Sequence, residues 1–260
     1  MKKYLVIGNP IEHSLSPQLH NHWIKKNNID AIYEKKKLNE RDIKDVILNV
    51  KNENINGINV TIPFKKSIIS FLDELTPLAN EAQSVNTIFK KDNRVVGDNT
   101  DIGGFEESLK HINYKVKDKK IFVLGAGGVV PSIIIALKRL GASKIVLSNR
   151  TKEKADNIKK IFSDLEIIDW GETTDFDMII NATSLGLKND DEIKLNYVDI
   201  GPNKLFYDII YNPSKTKFLS KAKQFGNQIE NGKMMFIYQA QLAFRIWHNV
   251  LPKIDNRLLD

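Results

Sequence analysis

The stretch Phe122-Val123-Leu124-Gly125-Ala126-Gly127-Gly128-Val129-Val130 decides the fold. It opens on apolar residues, turns through glycines and runs into Pro131 to Leu140, which is apolar at helical spacing and closed by Gly141. Strand, glycine turn and helix in that order is the context of a dinucleotide-binding loop. Glycines let the main chain turn tightly and approach a pyrophosphate, and a helix N-terminus adds N–H groups and the positive end of its dipole. Val130 stands where a third small residue is usual, and Pro131 is tolerated because it falls in the first helical turn.

Downstream, Lys144 to Leu147, Glu166 to Asp169, Met178 to Asn181 and Leu205 to Ile209 read as further strands, with helical or loop segments between them. Such a βαβ series predicts a parallel, doubly wound sheet of the Rossmann type. The end of the second strand reads Ser148-Asn149-Arg150-Thr151-Lys152, with Lys154 close behind. NAD-binding folds usually carry an acidic residue there, about 20 residues past the loop, to hold the ribose hydroxyls. A carboxylate would repel a 2′-phosphate, whereas Arg150 and Lys154 attract one, so the loop predicts NADP.

Upstream, Tyr4 to Gly8 reads as a buried strand, and Ser16-Pro17 opens a helix with Ser16 as N-cap and Leu19 and Trp23 on its buried side. Ala31 to Leu38 is extended, Glu40 to Val50 helical, and Ile55 to Ile62 a β-branched strand ended by Pro63. Val85 to Phe89 and Arg94 to Val96 form a hairpin around Asp92-Asn93. The expected class is α/β in two lobes: an N-terminal substrate-binding α/β domain over 1–101, joined by a returning C-terminal helix within 233–260, and a Rossmann-type NADP-binding domain over 102–232.

Three polar runs gather at strand ends of the first lobe. Ser14 and Ser16, read as extended, would turn both hydroxyls to one side and cradle a carboxylate. Asn59 and Thr61 would share a strand face, with Lys65 just beyond it. Asn86-Thr87 leads on to Gly97-Asp98-Asn99-Thr100-Asp101. Singly these are a helix cap and surface charges; together, ahead of a nucleotide lobe, they suggest a hydrogen-bonding site for a polyol.

The 260 residues are 42% hydrophobic and 27% charged, with a net charge of +7. The lysines are spread along the whole chain, which argues against a nucleic-acid surface and suits an anionic substrate and a phosphorylated cofactor. Cysteine is absent, so thiolate and disulfide chemistry are excluded, and the five histidines lack metal-ligand spacing, so no metal is expected. No apolar run is long enough to span a bilayer, and the apolar stretch ending at Gly8 is too short for a signal peptide. A cytoplasmic protein with no membrane partner is expected; oligomeric state, a homodimer included, is open.

Gly8-Asn9-Pro10, Ser14-Leu15-Ser16-Pro17, Asn59 to Lys65, Val85-Asn86-Thr87, Gly97 to Asp101, Gly125 to Gly128, Asn149-Arg150-Thr151 and Asn181-Ala182-Thr183-Ser184 occur in the order seen in shikimate dehydrogenases. The resemblance covers essentially the whole chain. It implies reversible reduction of 3-dehydroshikimate by NADPH, a step of the shikimate pathway to aromatic amino acids. By motif, Ser14 and Ser16, joined by Tyr211, would hold the substrate carboxylate. Asn59, Thr61, Asn86 and Gln239 would bind ring hydroxyls, and Lys65 and Asp101 would form the catalytic pair. Ala126, Gly127, Gly128, Val129, Val130, Asn149, Arg150, Thr151, Lys154, Ile209 and Gly232 would line the cofactor site. Met234 departs from the family, standing where its turn before the last helix usually carries a second glycine. A quinate or shikimate dehydrogenase of broader specificity is the enzyme alternative; a ligand sensor on the same fold is the noncatalytic one.

Overall fold

The computed structural model describes residues 1–188 and 190–255. The chain divides into two compact units, Met1–Gly104 with the segment from Ile237 onward, and Phe105–Phe236.

The first unit is built on a mixed six-stranded sheet. Its elements are β1 (Lys2–Gly8), α1 (Ser16–Lys26), β2 (Ala31–Lys37), α2 (Ile43–Lys51), β3 (Gly57–Val60), β4 (Glu74–Leu75), α3 (Pro77–Ala82), β5 (Thr87–Lys91), β6 (Arg94–Asp98) and the start of α4 (Asp101–His111). The strand order is β2-β1-β3-β5-β6-β4, with the β3–β5 and β5–β6 pairs antiparallel. Asp92 and Asn93 both have left-handed φ, 47° and 63°, which is the twist a two-residue hairpin turn needs. Alternation along the strands gives the sheet two faces. Leu5, Ile7, Ile58 and Val60 pack with Ile43, Val46, Ile47 and Val50 of α2. Tyr4 and Tyr33, paired in register, join His20 and Trp23 of α1 and Phe244, Trp247 and His248 of the last helix in an aromatic layer.

The second unit carries β7 (Lys120–Leu124), α5 (Val130–Arg139), β8 (Lys144–Ser148), α6 (Lys152–Ile161), β9 (Glu166–Ile168), β10 (Met178–Asn181), α7 (Tyr197–Ile200), β11 (Leu205–Asp208), α8 (Lys217–Gln224), β12 (Gln228–Glu230) and the start of α9 (Lys233–His248). All six strands are parallel, in the order β12-β11-β10-β7-β8-β9. The order reverses beside β7, and in such sheets ligands bind at the carboxyl ends of the strands at that reversal.

Four local expectations need correction. Leu15, not Ser16, is the N-cap of α1; its φ and ψ are −87° and −1°, and Ser16 is already helical. Ser14 and Ser16 therefore do not lie on an extended stretch. β3 stops at Val60, and Ile62 is 63% exposed, so this isoleucine is β-branched without being strand core. The last helix does not fill the segment 233–260: it ends at His248, and Asn249 takes a left-handed φ of 52°. Residues 256–260 of the segment assigned to that helix lie outside the described residues.

Candidate active site

In the first unit a chain of buried side-chain hydrogen bonds joins most of the predicted residues. Lys65 Nζ lies 2.5 Å from Asp101 Oδ2, and the two side chains are 13% and 7% exposed. Lys65 follows the turn after β3, and its carbonyl accepts from the Val85 N–H at 2.8 Å, which fixes that turn to the segment leading into β5. Asp101 is the first residue of α4. Its Oδ1 accepts from Asn86 Nδ2 at 2.9 Å, and the same amide donates to Thr100 Oγ1 at 2.9 Å and lies 3.4 Å from Gln239 Oε1. Asn86 Oδ1 accepts from the Thr100 N–H at 2.7 Å and from Thr87 Oγ1 at 3.0 Å. Asn59 Nδ2 donates to the Asn86 carbonyl at 3.1 Å and to Thr87 Oγ1 at 3.2 Å.

Both amides are thus committed to protein partners. An amide has two N–H donors and two carbonyl lone pairs. Asn59 and Asn86 use both donors internally, so a ligand hydroxyl meets them as sharers of an existing network. Thr61 and Ser14 are different. The Thr61 hydroxyl has no partner among the described residues, and Ser14 Oγ only accepts, from the Ser16 N–H at 3.3 Å. Thr87 and Thr100 were quoted in the polar runs of the sequence without a role, and the structure makes them the joints of the network. No group of three or more histidine, aspartate or glutamate side chains able to hold a metal occurs among the described residues.

In the second unit the predicted cofactor residues gather at the carboxyl ends of strands. Gly125 follows β7 with φ at +111°, and a Cβ there would lie 2.6 Å from the Ala182 carbonyl oxygen, so only glycine allows the two chain segments to close on each other. Gly127 is exposed, and a Cβ on it would meet nothing nearer than 4.0 Å, so its open side is available to a ligand. Val130 is fully buried and its N–H donates to Gly127 O at 3.0 Å. After β8, Asn149 Nδ2 holds the Thr151 carbonyl at 2.7 Å and Thr151 caps α6. Lys152 is paired with Asp169 at 3.0 Å, whereas Arg150 and Lys154 are exposed and have no ion pair among the described residues.

Ile209 and Tyr211 sit on the loop after β11. Asp208, 0% exposed, braces that loop by accepting from the Ile210 N–H and Asn181 Nδ2, both at 3.0 Å, and from Thr216 Oγ1 at 2.6 Å. Burial outweighs these donors and pushes its carboxyl up to about 6. The Tyr211 ring stacks on Phe236 with centroids 4.7 Å apart. A Cβ at Gly232 would fall 2.0 Å from the Ile209 carbonyl oxygen, so glycine is obligatory there too. Met234, the departure from the family turn, is half-buried.

The family model described as shikimate dehydrogenase substrate binding domain matches residues 6–88, and the one described as shikimate / quinate 5-dehydrogenase matches residues 107–187. The chain belongs to the shikimate dehydrogenase family. Shikimate dehydrogenase (NADP(+)) of Pelagibacter ubique is 60% identical over 259 residues, covering 100% of this chain and 98% of that protein. Among solved structures, the shikimate dehydrogenase of Aquifex aeolicus superposes with a TM-score of 0.91 at 39% identity, covering 97% of this chain and 94% of that one. The Thermus thermophilus shikimate 5-dehydrogenase, solved in complex with NADP(H) and shikimate, gives 0.89 at 30% identity and 97% and 95% coverage. The two-domain α/β architecture with a Rossmann-type half is that of the family.

Proposed function

We propose that the chain is an NADP-dependent shikimate dehydrogenase, an oxidoreductase acting on a CH–OH group that interconverts shikimate and 3-dehydroshikimate. The observation that carries this reading is the buried 2.5 Å contact between Lys65 and Asp101 at the end of the amide network. The first unit binds substrate and the second binds cofactor. Arg150 and Lys154, exposed and without a carboxylate partner among the described residues, suit a 2′-phosphate, and the open side of Gly127 suits a pyrophosphate.

The bound nicotinamide supplies hydride transfer. The protein has one proton to manage. In oxidation, Lys65 as the neutral amine takes the proton of the reacting hydroxyl, and the Asp101 carboxylate stabilises the ammonium that forms. In reduction, the Lys65 ammonium polarises the carbonyl and returns the proton to the alkoxide. Ser14 and Ser16 hold the substrate carboxylate. Thr61, Asn59, Asn86 and Gln239 face the ring hydroxyls, with the unpartnered Thr61 hydroxyl the freest of the four. A cytoplasmic location accords with use of NADPH.

Absorbance at the reduced-nicotinamide band tests the reading, with shikimate or quinate and NADP or NAD. Rapid reduction with shikimate and NADP alone supports it. Comparable rates with quinate or NAD would move the chain to the broader-specificity enzymes, and no turnover with any pair would overturn the enzymatic reading.

A further inference from the structure

Tyr33 is a buried side chain hydrogen-bonded to Asn59, a residue assigned to the substrate ring. It stands in the middle of β2 and is 1% exposed. Its main chain is held to α1 by two hydrogen bonds with the Asn21 side chain, at 2.8 and 2.9 Å. Its ring lies flat on His20, with centroids 4.2 Å apart and planes 2° from parallel. The phenol therefore has little freedom to move, and burial keeps it protonated.

The phenol meets Asn59 Oδ1 at 2.7 Å. The direction of the bond follows from the donors available. Asn59 Nδ2 donates to the Asn86 carbonyl and to Thr87, which fixes the amide with its carbonyl oxygen toward Tyr33. A carbonyl oxygen only accepts, so the single phenolic proton goes to Asn59. Ser14 accepts from the Ser16 N–H and keeps its proton for another partner.

We propose that Tyr33 is a positioning residue for substrate recognition: its phenol sets the orientation of the Asn59 amide, through which the network with Asn86 and Thr87 is presented to the substrate ring. The assignment rests on the shikimate dehydrogenase reading for its ligand. It does not rest on it for the orientation of the amide, which belongs to the chain itself. Tyr33 touches neither Lys65 nor Asp101 in the described network. Its removal should act on binding and leave the proton transfer in place.

Tyr33→Phe removes one oxygen and keeps the ring on His20. Losing the donor to a buried carbonyl should raise KM for shikimate about tenfold, with kcat within about threefold of wild type. KM for NADP should not change. Ser14→Ala should raise KM by the same factor in both backgrounds, while Asn59→Ala should have a different effect once the phenol is gone, because that pair is hydrogen-bonded. In ligand-free protein the Asn59 side-chain amide resonances should move or broaden in Tyr33→Phe. An unchanged KM with unmoved resonances would overturn the proposal. A fall in kcat at constant KM together with a lower Tm would assign Tyr33 to packing alone and overturn it as well. Should wild-type protein fail to turn over shikimate, the enzymatic reading falls, and the Asn59 resonances by themselves decide whether Tyr33 positions that amide.

Discussion

The two units build their candidate sites from different materials. In the first, the site is a set of side chains that hold one another, from Tyr33 through Asn59, Thr87 and Asn86 to Asp101 and Lys65. In the second, it is mostly main chain: a glycine turn, strand ends, and two exposed cations at the start of α6. A side-chain network sets chemistry through the identity of each member, and loss of one leaves a buried partner unsatisfied. A main-chain site tolerates change in what the residues are, provided that no atom blocks the close approaches. Substitutions in the first unit should therefore act on chemistry and binding through the partner they leave unsatisfied, and substitutions in the second on geometry.

The largest effect expected is at Lys65. Lys65→Ala removes the group that exchanges the proton and should lower kcat by about 10³-fold, within the range for loss of a general acid–base. KM for shikimate should change far less. Steady-state kinetics with shikimate and NADP checks both, and near-normal turnover would remove Lys65 from the mechanism.

Gly232→Ala is the counterpart in the second unit. The new methyl would overlap the Ile209 carbonyl oxygen at 2.0 Å, and main chain cannot rotate out of the way as a side chain can. Strain of this kind costs about 3 kcal/mol, so the variant should unfold at markedly lower denaturant and bind NADP poorly. Normal stability with normal NADP affinity would show that the second site is less dependent on close approach than the comparison requires.

Arg150→Ala tests the exception, a side chain in the main-chain site. Losing one charge-assisted contact to the 2′-phosphate should raise KM for NADP about 30-fold, close to 2 kcal/mol, and leave KM for NAD unchanged because NAD lacks that phosphate. Equal effects on both cofactors would place Arg150 outside phosphate recognition.

The same contrast explains what the sequence disclosed. The second unit was legible because its signals are local. Five apolar strands and a glycine turn are each contiguous, and β7 and β10 fall where their runs of hydrophobic residues begin and end. The elements that escaped are short or marginal, such as β4 with two residues and β12 with three. In the first unit the residues at the site came from runs of unusual composition and from resemblance, but their roles did not. That both amides are saturated depends on partners 14 to 28 positions apart, which no window along the chain displays. Tyr33 left no local mark at all: one aromatic in a strand reads as core, and only the pairing of β1 with β2 and β3 brings it beside Asn59. The Ser16 reading failed for a related reason. Ser-Pro is a common helix start, yet here Ser14 Oγ takes the Ser16 N–H and the helix begins a residue earlier.

The smallest effect expected concerns the support behind the network. His20 is fully buried among Tyr33, Trp23, Phe244 and Trp247, and neither of its ring nitrogens has a hydrogen-bond partner among the described residues. Burial, with a smaller contribution from His248, pulls its imidazole from 6.5 down to about 3. The unfolded chain then binds the proton more readily than the folded one. Its neutral form is fully stabilising above about pH 6.5, and that contribution is lost as the pH falls from there toward 3. His20→Phe keeps an aromatic ring against Tyr33 and removes the titration. Between pH 7 and pH 5.5 wild type should lose about 1 kcal/mol relative to the variant in denaturant unfolding followed by tryptophan fluorescence. His248, pulled down to about 4 chiefly by burial, adds the same pH dependence to both proteins and cancels in the difference. Parallel stability curves would mean that the layer behind Tyr33 admits a proton without opening, and would remove His20 as the fixed surface on which that phenol is held.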